Sequence, residues 1–98
     1  MAFDVGPTRS STAKIPKGKI TAKTESQELS KENRERIALY VTNNGAKDVW
    51  LAYGGEKAAA EEGPRLAAST GSTVIENYSG PVHVVTKEGE SLVTFAEV

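Results

Sequence analysis

The sequence predicts an all-β fold, a small antiparallel sandwich or barrel of six to eight short strands with an extended N-terminal arm. Short stretches alternate apolar and polar residues with a period of two, which is typical of half-buried strands. Clusters of Gly, Asn, Pro and Ser separate these stretches at near-regular intervals. Residues 1–19 are poor in apolar side chains. We therefore divide the 98-residue chain into an arm, residues 1–19, and one domain, residues 20–98.

Residues 36–55 form the most strongly patterned segment and predict two strands joined by a turn. The turn is assigned to Asn43-Asn44-Gly45, because Asn and Gly tolerate positive φ. A tight Asn-Gly turn would place the aliphatic residues of the two strands on different faces. A loop of three or five residues instead gathers them on one face, and the aliphatic set should decide the register. The resulting pairs are Val41 with Val49, Leu39 with Leu51, and Ile37 with Tyr53.

The same register places Tyr40 opposite Trp50 on the second face of this hairpin. Cross-strand aromatic pairs stabilise a sheet by roughly 0.2–1 kcal/mol. Exposed aromatic rings are also enriched at the centre of protein interfaces. Two interpretations follow: the second face is covered by other parts of the protein, or Tyr40 and Trp50 form a contact surface.

The remaining segments carry weaker strand signals. Residues 20–25 predict an edge strand, and residues 26–35 a polar loop with about one helical turn. The Ala-rich residues 56–62 have helical propensity but are bounded by one Gly pair, Gly54-Gly55, and by Gly63-Pro64, so they predict a short strand or an irregular crossing. Residues 65–68 and 73–78 predict short strands. Residues 82–86 and 92–98 predict a last hairpin that pairs Val84 with Val93 and Val82 with Phe95.

Composition narrows the functional classes. The chain has no cysteine, which excludes disulfides and thiolate metal sites. No apolar run approaches the length of a membrane span, and the first residues lack the apolar core of a signal peptide. A domain of this size buries only about 60–65% of its unfolded surface, so oligomerisation or docking would supplement its thin core.

Charge is divided unevenly along the chain. Residues 1–24 carry five basic residues and one acidic residue, a net charge of +4, and the remainder carries seven basic and twelve acidic residues, a net charge of −5. A basic arm on an acidic body indicates an electrostatic tether, although a solvated tail explains the same pattern. The acidic body argues against direct nucleic-acid binding. The candidate contact residues of the arm are Arg9, Lys14, Lys17 and Lys19.

Catalytic chemistry has little support in the sequence. His83, the only histidine, lies between two valines on a predicted strand and is interpreted as a structural residue. The serines fall in turns or at strand ends, and the paired glutamates are typical solvated loop charges. We therefore assign no catalytic residue, no metal ligand and no cofactor.

The order of features from about residue 24 to the end resembles that of small tailed-bacteriophage virion proteins. The shared pattern is an Asn/Arg-rich strand start, a strand ending in Thr-Asn-x-Gly, a short aromatic strand with Gly, a Leu before a Gly-containing turn, a Gly-Pro-Val strand and a last strand ending near Glu. In this chain these features occupy residues 33–36, 39–45, 49–54, 66–71, 80–84 and 92–97. The chain departs from the pattern in its Ala-rich residues 56–62 and in lacking a Pro-Gly turn after Leu66.

The resemblance implies a β-sandwich or barrel on the virion with no enzyme activity. The expected role is a capsid decoration (cement) protein, made in the host cytoplasm, that binds the major capsid protein, with the arm ordering on neighbouring capsid subunits. It implies a homo-oligomer at a capsid symmetry site. The alternative is a tail or surface module that recognises a glycan or host receptor through Tyr40 and Trp50. A small hydrolase is the third and weakest alternative.

Overall fold

Eight β-strands and their connecting loops make up the described part of the chain. The computed structural model describes residues 17–98. The strands are β1 (Lys17–Ala22), β2 (Gln27–Ser30), β3 (Ala38–Asn43), β4 (Val49–Ala52), β5 (Arg65–Leu66), β6 (Ser72–Glu76), β7 (Val82–Thr86) and β8 (Ser91–Glu97).

These strands form two four-stranded antiparallel sheets. Sheet I has the order β1-β8-β3-β6, and sheet II has the order β2-β7-β4-β5. The pairs β1·β8, β2·β7, β3·β6 and β4·β5 are nested, like the two arms of one long hairpin that turns between β4 and β5. Additional pairing of β3 with β8 and of β4 with β7 rolls this hairpin into two layers. The result is a jelly roll, and the predicted all-β sandwich is confirmed.

The predicted central hairpin is wrong. Strand β3 pairs with β6 and β8, whereas β4 pairs with β5 and β7, so the two strands lie in different sheets. The predicted final hairpin fails in the same way, because β7 belongs to sheet II and β8 to sheet I. Alternation identifies the side chains that face the core, but two strands that face one core from opposite sheets have the same pattern as two neighbours.

The inner faces of both sheets supply one continuous core. Leu39 and Val41 of β3 are fully buried, as are Val49 and Leu51 of β4. They pack in one cluster with Val84 and Val93, among other residues. Leu39 and Val41 therefore meet Val49 and Leu51 across the sandwich rather than along a shared ladder. Ile37, which was predicted to pair with Tyr53, is 66% exposed and lies outside this core.

Two element boundaries differ from the prediction. Strand β1 begins at Lys17, so Lys17 and Lys19 lie in a strand paired with β8 rather than in the arm. The rest of the predicted arm, residues 1–16, lies outside the described residues. Strand β2 lies inside the segment predicted as a polar loop. The sequence did not predict this strand because only its last two residues are buried and the segment is too short to show alternation.

A buried arginine ties three parts of the sandwich together. The Arg36 guanidinium lies 2.8 Å from a carboxylate oxygen of Glu97 near the end of β8. It also donates hydrogen bonds to the Ser30 hydroxyl on β2 and to the backbone carbonyls of Tyr78 and Gly80. Because the arginine side chain is fully buried, these bonds replace the water that its charge would otherwise bind.

Asn43 plays the corresponding role at the other end of β3. Its amide nitrogen donates to the backbone carbonyls of Lys47, Leu66 and Ala67. Its amide oxygen accepts from the Gly45 backbone N–H at 3.1 Å and from the Ser91 hydroxyl at 2.7 Å. This fully buried side chain therefore fixes the crossing from sheet I to sheet II that the sequence predicted as a hairpin turn.

Candidate docking face

The two outer faces of the sandwich differ in how they are covered. On sheet II, Trp50 packs with Val85 of β7 and with Ala58 of the Ala-rich loop, and it retains only 8% of its exposure. The loop is held near β2 by a hydrogen bond from the Ala58 backbone N–H to the Ser26 hydroxyl at 2.8 Å. The irregular crossing predicted for residues 56–62 is therefore a lid over the only tryptophan of the chain.

The Ala58 side chain, a single methyl group, packs against Trp50, so a substitution at this position tests the covering. Replacing Ala58 with Asp places a carboxylate against Trp50, and burying a polar group without partners destabilises a fold by about 1–3 kcal/mol. We expect a red-shifted Trp50 fluorescence spectrum and a lower urea midpoint. Ala59→Asp, at the exposed neighbouring residue, is the matched control and should change neither. Equal effects of the two substitutions would contradict the assignment of Ala58 as the covering residue.

The outer face of sheet I is open within the described structure. A row of directly opposed residues crosses all four strands: Lys17 faces Ala96, Ala96 faces Tyr40, and Tyr40 faces Val74. Tyr40 is 48% exposed and Val74 is 44% exposed. We call this surface the open face; its exposed and half-buried residues include Lys17, Lys19, Thr21, Tyr40, Thr42, Ser72, Val74, Glu76, Leu92, Thr94 and Ala96.

The chemistry of the open face is apolar at its centre and basic at one side. A groove of about 500 Å³ runs beside Tyr40 and is bounded by Lys17 and Lys19 on β1. Neither lysine forms an ion pair with another residue of the described range, where the cationic partners are Arg34, Arg36, Lys47, Arg65 and Lys87. The two ammonium groups are thus available to carboxylates of a partner, and the aromatic ring offers apolar contact area.

The structure separates the residues that were predicted to form one aromatic site. Tyr40 lies on the open face of sheet I, and Trp50 lies on the covered face of sheet II. The sandwich core, about 10 Å thick, lies between the two sheets. A glycan or receptor site made of both rings is therefore ruled out by their positions, and the interpretation of Trp50 as a covered residue is the correct one.

Of the four basic residues predicted to contact a partner, the structure describes two, Lys17 and Lys19. Lys17 and Lys19 are exposed on β1 and point to the same face as Tyr40, because Lys17 shares its row and Lys19 shares the row of Thr42 and Thr94. Arg9 and Lys14 lie outside the described residues. The sequence did not predict that the lysines and Tyr40 share one face, because only the pairing of β8 with both β1 and β3 brings them together.

Titratable groups with shifted pKa values lie away from the open face. Burial raises the pKa of Tyr53, whose ring centre lies 5.7 Å from that of Tyr78. A hydrogen bond from Lys87 to Glu61 raises the pKa of the exposed Lys87 ammonium group. His83 is half-buried on β7, and its Nδ1 atom has no hydrogen-bond partner in the described range.

Among residues 17–98, no three His, Cys, Asp or Glu side chains come together as metal ligands. No helix in that range has the length and apolar character needed to cross a bilayer. Comparison with family models, curated proteins and solved structures identifies no match to this chain.

Proposed function

We propose that this chain is a non-enzymatic structural protein of a phage virion, a capsid decoration protein that binds the shell of the major capsid protein and stabilises the head. The observation that carries the proposal is the asymmetry of the sandwich. Its own loop packs over Trp50 and Val85 on the outer face of sheet II, whereas Tyr40 and Val74 remain exposed on sheet I. Exposed apolar surface rimmed by polar groups is typical of protein docking sites.

The basic residues support the same role. Lys17 and Lys19 flank the open face on β1, and in the sequence they directly follow residues 1–16, which contain the further basic residues Arg9 and Lys14. A shell surface rich in carboxylates would attract both groups of charges, and an arm that orders on neighbouring subunits would enlarge the contact. The fold is compatible with this role, because jelly rolls occur in viral capsid proteins, but they also occur in lectins and cupins.

Co-sedimentation with capsid shells tests the proposal. We expect the purified full-length chain to pellet with shells of its phage's major capsid protein at a fixed, saturable copy number. Raising the salt concentration from 0.1 to 1 M should weaken binding, because the screening length falls from about 10 Å to 3 Å. Absence of any saturable binding at low salt would refute the proposed role.

Substitutions separate the contributions of the face and the arm. Tyr40→Ala and the pair Lys17→Glu with Lys19→Glu should each weaken binding by at least about tenfold, the loss expected when one interface contact worth about 1.4 kcal/mol is removed. Arg9→Glu with Lys14→Glu tests the arm alone. Lys57→Glu, an exposed charge on the loop of sheet II, is the matched control and should leave binding unchanged. Loss of binding with Lys57→Glu but not with Tyr40→Ala would place the contact on the opposite face.

A further inference from the structure

The four sheet edges of this domain are not equally protected against pairing with another chain. Edge strands are normally shielded by charged residues, bulges or short length. Strand β1 carries Lys17 and Lys19, β2 contains a register shift between Glu28 and Ser30, and β5 has only two residues. Strand β6 has five residues in regular register with β3 and carries one charge, Glu76, at its end. It is the least protected edge of the described structure.

Hydrogen bonds to β3 show which backbone groups of β6 are free. The Asn43 N–H donates to the Gly71 carbonyl at 2.8 Å, and the Asn77 N–H donates to the Ile37 carbonyl at 3.1 Å. In an antiparallel pair, residues that bond to the neighbour alternate with residues whose N–H and C=O groups point away from it. The backbone groups of Ser72, Val74 and Glu76 therefore point outward from the sheet edge.

We propose that two copies of this chain associate through β6, in antiparallel register about a twofold axis that passes beside Val74. This arrangement pairs Val74 with Val74 of the second copy, and Ser72 with its Glu76. All three outward-facing residues are then paired, which gives about six backbone hydrogen bonds. Sheet I of one copy and sheet I of the other then form one continuous eight-stranded sheet, and the interface is isologous and closed.

Charge and apolar contacts favour this register over one centred on Glu76. Centring the axis on Glu76 would place two carboxylates opposite each other, which destabilises a cross-strand pair. Centring it on Val74 gives each Glu76 a serine neighbour instead. It also extends the exposed row of the open face across the junction, from Tyr40 and Val74 of one copy to Val74 and Tyr40 of the other. The second copy thus covers part of the apolar surface that the isolated domain exposes.

This dimer does not depend on the proposed role at the capsid, and it is tested on the purified full-length chain alone. We expect sedimentation equilibrium to give a mass corresponding to two chains. Val74→Pro should weaken the dimer by at least roughly tenfold, because proline removes the outward N–H while leaving the β3 ladder intact. Thr21→Pro, on the opposite edge strand of sheet I, is the matched control and should leave the dimer unchanged.

Single cysteines test the register, since the natural chain contains none. Opposed residues in a hydrogen-bonded antiparallel pair have Cα atoms about 5.5 Å apart, a distance that a disulfide can bridge. Val74→Cys should therefore form a covalent dimer on mild oxidation. Ser72→Cys alone and Glu76→Cys alone should not, but an equal mixture of these two variants should.

Each contrary result overturns the proposal. A chain that remains monomeric at about millimolar concentration lacks the interface, because even a weak specific contact is populated there. Cross-linking of Thr21→Cys but not of Val74→Cys would place the contact on β1. A monomer in which the Val74 amide is nevertheless protected from hydrogen exchange would mean that another segment of the same chain covers β6.

Discussion

Replacing Arg36 with alanine is expected to lower the free energy of unfolding by about 3–5 kcal/mol, the loss typical of removing one partner of a buried ion pair. The substitution leaves the Glu97 carboxylate without its cation and removes the donor that serves Ser30 and the carbonyls of Tyr78 and Gly80. Small domains have a total stability of about 5–15 kcal/mol, so the variant should be close to unfolding at 37 °C. Urea denaturation followed by Trp50 fluorescence measures the effect.

Arg34 supplies the matched control for this experiment. Its side chain is 89% exposed and pairs with Glu32, which is also exposed. Exposed pairs contribute about 0–1 kcal/mol, so Arg34→Ala should shift the urea midpoint only slightly. Equal shifts of the urea midpoint for Arg34→Ala and Arg36→Ala would contradict this assignment. They would mean that the contacts of Arg36 with β2, β8 and the loop before β7 do not stabilise the fold.

Asn43→Ala is the second substitution with a large expected effect. It removes one side chain that bonds to five backbone or side-chain groups, among them the carbonyl of Leu66 and the hydroxyl of Ser91. Each buried group left without a partner destabilises the fold by about 1–3 kcal/mol, and the groups near the surface recover part of this by binding water. We therefore expect a total loss of about 3 kcal/mol.

Asn44→Ala tests whether burial rather than residue type causes this effect. Asn44 is exposed, and its amide donates one hydrogen bond to the Thr94 hydroxyl. Surface substitutions of this kind change stability by about 0.5 kcal/mol or less. Thermal unfolding of both variants under identical conditions should give a clearly lower midpoint for Asn43→Ala alone. A midpoint for Asn43→Ala equal to that of the natural chain would show that the crossing is fixed by other contacts.

Gly45 shows how local and tertiary requirements combine at this crossing. The sequence identified it as a turn residue, and its backbone N–H does bond to the Asn43 side chain. The structure adds a second requirement, because a Cβ atom at Gly45 would collide with Ser91 and with the backbone of Leu92 on β8. Glycine is needed here for close approach between distant segments, which no local pattern reveals.

The sequence by itself determined the class of fold, the approximate position of most strands and the inward-facing side chains such as Leu39, Val41, Val49 and Leu51. These features follow from local alternation and turn chemistry, which act over a few residues. The buried roles of Arg36 and Asn43 did not follow, because polar residue types are usually exposed. Only their hydrogen-bond partners, supplied by segments far away in the chain, make burial possible.

Only the tertiary structure decided which strands are neighbours and which outer face remains open. A strand pattern is compatible with several partners, and pairing β1 with β8 joins the two ends of the domain. That choice places Lys17 and Lys19 beside Tyr40, and the Ala-rich loop covers Trp50. The candidate docking face is therefore a product of long-range packing, because each of its strands is recognisable alone but none of them specifies its neighbour.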